Sequence, residues 1–330
     1  EPVSQHNNYP KSDRRDFLRK STLLVAGTTA LGYSAPAVHA AEDNTIRLAL
    51  IGCGNRGAGA VANALNTSDQ GPIKLYAMAD LHLNQIESKL TVLKEKYPDH
   101  VDVAPDRKFL GFEAYKHAID LLKPGDIAMC TTRAYIRPVH VEYAVKKGIH
   151  VFMEKPFSPD PAGLRRMLRA GEQADLNGVK IAAGLQCRHS PARAALIDKI
   201  RDGEMGELSY IRANRLTGRR WMKDQGEQSN DLVEQLKFGK SQLLWVGSGH
   251  MVDNLIHQID ECCWLMDDWP ISCHGMGGRE VGSEDRGQNL DIYSMEYTFP
   301  NGKKAFCGFR RALKGHTEFA TFVHVSNRAG

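Results

Sequence analysis

The sequence predicts an α/β chain: a domain built on a parallel sheet, followed by an α+β domain with a largely antiparallel sheet. Three observations carry this. A short apolar run, 46–51, is followed at once by the glycine turn Gly52-Cys53-Gly54-Asn55-Arg56-Gly57 and an alanine-rich helical stretch. Apolar strand-like runs then alternate with segments of helical periodicity as far as Leu185. From Arg188 the rhythm changes, and 291–299 alternates side by side in the way of a half-buried strand.

Each element has its own signature. Residues 46–51 read as a buried strand and 58–65 as a helix. Residues 73–79 form a second strand that ends at Asp80. Ile86, Leu90 and Leu93 stand at helical spacing within 83–97, and a further helix is expected over 112–122. Residues 126–130 are a strand, 138–147 a helix stopped by Gly148, and 150–153 a strand. A helix over 161–177 and a strand over 179–185 complete the first domain. Strands alternating with helices imply right-handed crossovers and a parallel sheet, with ligands outside the carboxyl ends of the strands. Those ends are marked by Gly52 to Gly57, Asp80, Thr131-Thr132, Glu154-Lys155-Pro156 and Gln186.

A strand, a G-x-G-x-x-G turn and a helix in that order form the fingerprint of a dinucleotide-binding Rossmann domain. Gly52 permits the tight turn, Gly54 lets the backbone approach a pyrophosphate, and Gly57 lets the helix pack on the strand. The helix N-terminus offers free N–H groups to the phosphates. Asp80 falls at the distance expected for the acid that holds the ribose hydroxyls, and it would repel a 2′-phosphate. NAD is therefore expected rather than NADP.

In the second domain a helix is expected over 190–202, with strands over 208–216, 291–299, 304–310 and 318–325. Pro300-Asn301-Gly302 is a hairpin turn. Tyr293, Met295, Tyr297 and Phe299 share one face, which reads as core or as an interface between subunits. Within 247–260, Val252, Leu255, Ile256 and Ile259 share one side of a helix, while Asp253, His257 and Asp260 share another at i, i+4 and i+7.

Bulk properties exclude several classes. The 330 residues suffice for two domains, and 42% hydrophobic with 25% charged is a globular composition. The formal net charge is +4, of which +2 lies in residues 1–40, so the body has no basic stripe suited to nucleic acid. The seven cysteines, at 53, 130, 187, 262, 263, 273 and 307, form no C-x-x-C pair and read as small buried hydrophobes. His250, Asp253 and His257 could be imagined as metal ligands, but no further ligand cluster supports them, and no metal is expected.

The first forty residues read as an address. Arg14-Arg15 with Phe17 and Leu18, then an uncharged stretch over 21–41 and Val38-His39-Ala40, resemble a twin-arginine signal with a cleavage site after Ala40. This implies the twin-arginine machinery as a partner and a periplasmic location. Domains are accordingly expected at 1–40 (signal), 41–187 (dinucleotide-binding) and 188–330 (substrate-binding).

Glu154-Lys155-Pro156 directly after a strand, taken with Gly52, Gly54 and Gly57, resembles the Gfo/Idh/MocA family, which includes glucose–fructose oxidoreductase and inositol dehydrogenase. The likeness runs from about Ile46 to Gly330. It implies that Lys155 lies near the nicotinamide and the reacting carbon, and that the Lys155–Pro156 bond is cis. It carries the D-x-x-x-H pair onto Asp253 and His257, facing the substrate beside Lys155. Asn55, Arg56, Thr131 and Glu154 complete the expected cofactor contacts, while Gln186, Arg188, His189 and Asp260 are candidates for the substrate.

The sequence departs from the family in three places. Thr132 stands where a proline commonly follows the strand, Arg137 where a histidine is usual, and Leu255 where a glycine often separates the Asp and His. Family members also continue past the position of Gly330, so the second domain is expected to be shortened or cut.

The function these readings imply is hydride transfer between NAD and a secondary alcohol or carbonyl of a sugar, polyol or sugar derivative. Lys155 would receive or stabilise the hydroxyl proton, a neutral His257 would pass it on, and Asp253 would support them. Two alternatives stay open: an NAD-dependent glycoside hydrolase that uses transient C3 oxidation, and a non-catalytic sugar- or dinucleotide-binding protein. Arg219-Arg220-Trp221 reads as a solvated loop. A homo-oligomer formed through the second sheet is expected.

Overall fold

In a computed structural model, residues 44–218, 231–239, 243–279, 287–312 and 315–327 are described. The expected signal segment and the Arg219-Arg220-Trp221 loop lie outside them. No helix among the described residues is long and apolar enough to cross a membrane.

The first half alternates strand and helix: β1 (Ile46–Ile51), α1 (Asn55–Leu65), β2 (Ile73–Asp80), α2 (Leu83–Lys96), β3 (Lys108–Leu110), α3 (Ala114–Asp120), β4 (Ile127–Cys130), α4 (Arg137–Lys146), β5 (His150–Met153), α5 (Pro161–Leu176) and β6 (Ile181–Ala183). The six strands form one sheet in the order β3-β2-β1-β4-β5-β6. Every pairing is parallel. This is the Rossmann order, whose switch point falls between β1 and β4.

Both faces of the sheet are covered, so its central strands are apolar on both sides. Leu48 and Leu50 of β1 pack with Val61 and Leu65 of α1 and with Ile86 and Leu90 of α2. Ile51, on the opposite face, joins Val141 and Val145 of α4 and Ala170 and Ala174 of α5. Ala49, Ala77 and Ala79 meet Ala114 and Ala118 of α3, where small side chains let the helix approach closely. Short β3 was not among the expected strands.

The second half contains α6 (Pro191–Arg201), β7 (Leu208–Gly218), α7 (Leu232–Phe238), α8 (Leu244–Gly247), a wide π-helical turn over Met251–Leu255, α9 (Ile256–Met266) and strands β8 (Ser272–Gly278), β9 (Ile292–Thr298), β10 (Lys304–Ala312) and β11 (Glu318–Val325). Its sheet runs β11-β7-β10-β9-β8. The sheet is mixed rather than wholly antiparallel: β7 and β10 pair in parallel, and every other pairing is antiparallel. Sequence alternation predicts strands and buried faces but not strand direction, and β8, rich in glycine and exposed, gave no apolar run to read.

One face of this sheet packs on α9 and α6. Tyr293, Met295, Tyr297 and Phe299 join Ile197, Ile211, Ala213, Leu265 and Phe309 in that core, so the aromatic stripe is core. Five of the seven cysteines are buried, Cys263 is half-buried and Cys273 is exposed, a departure from the uniformly buried expectation.

Candidate active site

The carboxyl ends of β1, β2, β4 and β5 open into a cleft of about 850 Å³. Gly52, Gly54, Asn55, Arg56, Gly57, Asp80, Thr131, Glu154 and Lys155 line it, and Asp253 reaches it from the second half of the chain. Ten residues named as candidates from sequence thus share one wall.

The glycine turn is held by its surroundings. Gly52 has φ +95°, and a Cβ there would meet the Thr132 amide nitrogen at 2.7 Å. A Cβ on Gly57 would run into the Gly52 carbonyl oxygen and lie 2.6 Å from Thr131 Oγ1. Gly54 differs: a Cβ there meets nothing within 4 Å, so its missing side chain leaves open space in the cleft. That space, at the start of α1, is where a pyrophosphate could approach free backbone N–H groups. The loop therefore fits a dinucleotide.

Asp80 and Thr131 brace this turn. Asp80 accepts hydrogen bonds from the amides of Cys53 (2.7 Å) and His82 (3.0 Å). Thr131 Oγ1 donates to the Gly52 carbonyl at 2.6 Å. Arg56 and Glu154, both expected as cofactor contacts, form an ion pair with Nε–Oε1 at 2.5 Å. Their pairing ties the glycine turn to the end of β5. Glu154 is buried, and its carboxylate lies where a side chain on Gly184 would otherwise stand.

Lys155 follows Glu154 into the cleft, and its peptide bond to Pro156 is cis. Its ammonium donates to Asp253 Oδ1 at 3.0 Å and to the Asp253 carbonyl. Both side chains are about one-fifth exposed. Asp253 lies in the π-helical turn and His257 at the start of α9, so the regular helix expected through both is wider at its first turn. Leu255, fully buried in that turn, occupies the position where the resemblance would often have a glycine.

His257 does not line the cleft. It is buried, its Nδ1 has no hydrogen-bond partner, and its ring meets Phe319 edge-on at 6.1 Å. Burial first, then the charges of Lys155 and Arg215, push its pKa down to about 4. It is therefore neutral at neutral pH, as expected. The direct hydrogen-bond contact at Lys155 is with Asp253, and the charge of Lys155 reaches His257 behind it.

The four substrate candidates are elsewhere. Arg188 and Asp260 form a bidentate ion pair, with Nε–Oδ2 and Nη2–Oδ1 both at 2.9 Å, and the Arg188 guanidinium stacks 5.1 Å from the Trp264 ring. The pair engages Nε and Nη2 of Arg188 with both carboxylate oxygens of Asp260. His189 Nε2 lies 3.2 Å from the Ala183 carbonyl, and Gln186 is exposed. None of the four lines the cleft.

Three residues between the end of β4 and the first turn of α4 were not among the candidates from sequence yet shape the site. Arg137 is 2% exposed and donates to the carbonyl oxygens of Thr132 and Pro156. It pins the loop after β4 to the turn that carries Lys155. Burial pushes its pKa down to about 10. Arg133 and Tyr135 line the cleft itself. The available signal was positional, since all three follow directly from the carboxyl end of a parallel strand. No group of three or more His, Cys, Asp or Glu among the described residues is arranged to hold a metal.

Residues 46–180 match the model of an oxidoreductase family with an NAD-binding Rossmann fold, Gfo/Idh/MocA. Among solved structures, the chain is similar to myo-inositol 2-dehydrogenase from Lactobacillus plantarum, at 19% identity and a TM-score of 0.66, covering 87% of this chain and 76% of that one. It is also similar to scyllo-inositol dehydrogenase from Lactobacillus casei with bound NAD(H) and scyllo-inositol, at 15% identity and a TM-score of 0.65, covering 86% and 75%. A third likeness is to aldose–aldose oxidoreductase from Caulobacter crescentus complexed with glycerol, at 17% identity and a TM-score of 0.64, covering 87% and 82%. At these identities the likenesses show a shared fold.

Proposed function

We propose that this chain, an NAD-binding oxidoreductase whose first domain is of the Gfo/Idh/MocA family, transfers a hydride between NAD and a secondary alcohol or carbonyl of a sugar or polyol. The observation that carries the reading is the Lys155–Asp253 contact, set in the same cleft as the glycine turn. The dehydrogenases among its structural neighbours, named for myo- and scyllo-inositol, support a polyhydroxylated ring as substrate.

The residues divide the work by chemistry. The amides from Gly54 to Gly57 and the start of α1 would receive the pyrophosphate, and Asp80 stands where ribose hydroxyls would be read, which favours NAD over NADP. The nicotinamide, when bound, supplies the hydride acceptor or donor. Lys155 would stand at the reacting hydroxyl: its ammonium holds the oxygen, hands a proton on through Asp253 or water, and takes the hydroxyl proton as hydride leaves the carbon. Asp253 orients that ammonium and accepts a neighbouring hydroxyl. His257, neutral and set back from the cleft, serves as a proton acceptor reached through Asp253 or water.

The test is to incubate the purified protein with NAD and a panel of inositols, aldoses and their glycosides, and to follow NADH. Formation with a polyol or aldose, lost on Lys155→Ala, supports the reading. Cleavage of glycosides without net NADH would replace it with the hydrolase reading.

Arg14-Arg15 supports export by the twin-arginine route to the periplasm, and Lys-Lys at those positions should hold the protein inside; unchanged periplasmic levels would count against export. Tyr210, Phe306, Ile292 and Met276 are exposed and, by register, share the outer face of the second sheet. They support self-association through that sheet, and light scattering that returns a monomer at micromolar concentration would refute it.

A further inference from the structure

Most charged groups along the strand ends that line the cleft are already satisfied. Arg56 pairs with Glu154 and Lys155 with Asp253. Asp80 accepts from two loop amides, and Arg137 donates to two carbonyls. Arg133 is different. It lines the same cleft, half-buried, and makes no hydrogen bond or close ion pair with any described residue. Five N–H donors in a fixed planar fork, partly stripped of water and unmatched, are suited to a carboxylate or phosphate.

Its location indicates which anion. Arg133 and Tyr135 stand on one loop, and Val246, Gly247 and Asp253 of the second half line the same cleft. The pyrophosphate has its own receptor in the Gly54–Gly57 amides. Tyr135 lines the cleft two residues on, and its ring meets Trp245 edge-on at 5.7 Å. An apolar ring beside a cationic fork suits a sugar ring that also carries a negative charge.

We propose that Arg133 and Tyr135 form a subsite for the carboxylate of an acidic sugar, so that the substrate is a uronate-type ring rather than a neutral polyol. This rests on the hydride-transfer reading of the site and narrows its substrate class. Lys155 would act on a ring hydroxyl while Arg133 fixes the carboxylate, giving the ring one orientation.

The experiment uses the full chain loaded with NADH. Calorimetry compares glucuronate and galacturonate with glucose and galactose, for the wild type, Arg133→Gln and Arg133→Lys, with NADH affinity measured separately by fluorescence. The wild type is expected to bind at least one uronate about 10–100-fold more tightly than its neutral counterpart, the usual size of a charge-assisted contact. Arg133→Gln should erase that preference, and Arg133→Lys should restore part of it. NADH affinity should stay within about twofold, since the phosphates are held elsewhere. Equal binding of uronates and neutral sugars by the wild type overturns the subsite. So does a variant that weakens NADH while keeping the sugar preference, which would assign Arg133 to the pyrophosphate. A uronate that binds through Arg133 without any NAD-linked turnover would uphold the subsite and defeat the hydride-transfer reading instead.

Discussion

The ammonium of Lys155 lies 3.0 Å from Oδ1 of Asp253, although 98 residues separate them in the chain. This contact joins the end of a parallel strand in the first sheet to a π-helical turn ahead of α9, and it sets how the site should respond to mutation. Lys155→Ala should lower kcat by a factor on the order of 10²–10⁴, the usual range for an acid–base group. Asp253→Asn should lower it less, because the ammonium remains but loses its partner. The double mutant should be little worse than Lys155→Ala alone, since groups that act as a unit are not additive when removed. Effects that multiply would show that the two act separately. Steady-state kinetics on the three variants, with NADH affinity unchanged, is the measurement.

Two glycines of the turn should fail in different ways. Gly57→Ala places a methyl against the Gly52 carbonyl and Thr131 Oγ1, and neither has room to yield. It should destabilise the fold by about 1–3 kcal/mol, the cost of overpacking, and weaken NAD binding as well. Gly54→Val places its side chain in open space, so thermal stability should stay near wild type while NAD affinity falls at least tenfold. Thermal melts and cofactor titration separate the two; a destabilised Gly54→Val would contradict the reading of an open phosphate site.

Arg137→Met should leave the Thr132 and Pro156 carbonyls without their buried donor. Each unsatisfied buried group costs about 1–3 kcal/mol, so a loss of about 2–6 kcal/mol is expected in urea unfolding. Because those carbonyls flank Lys155, kcat should fall in whatever fraction remains folded. A variant as stable as wild type would show that the pin is dispensable.

Two buried histidines make stability fall with acid. Burial pushes the pKa of His257 down to about 4 and, with Arg137 nearby, that of His140 to about 3. Both are depressed below the unfolded value near 6.5, so the unfolded chain takes up protons first as pH falls. Their stabilising contribution is complete above pH ~6.5 and is lost progressively down to their folded pKa values. At pH 5 each histidine should account for about 2 kcal/mol of lost stability relative to pH 7.5. Unfolding free energies of wild type and His140→Gln across that window check this. If the variant shows the same acid slope, His140 is not a source of it.

The sequence by itself determined whatever depends on local periodicity and on the steric demands of single residues. Runs such as 46–51 and 126–130, spaced by helices, required a parallel sheet covered on both faces. Gly52 marked a turn whose backbone no larger residue can adopt, and Asp80 followed at the distance the next strand imposes. Asp253 and His257 were visible through their spacing, although not the wider turn between them. Only the tertiary structure decided the pairings. Lys155 meets Asp253, Arg56 meets Glu154, and Arg188 is taken by Asp260, so a list of chemically able residues became a few with work left to do. Arg137, noted in the sequence as a departure, proved to be a buried pin, and Arg133 was left facing the cleft. The physical reason is range. Backbone sterics and side-chain periodicity act over a few residues and are written locally, whereas electrostatic pairing and desolvation depend on distances that exist only once segments some hundred residues apart are brought together.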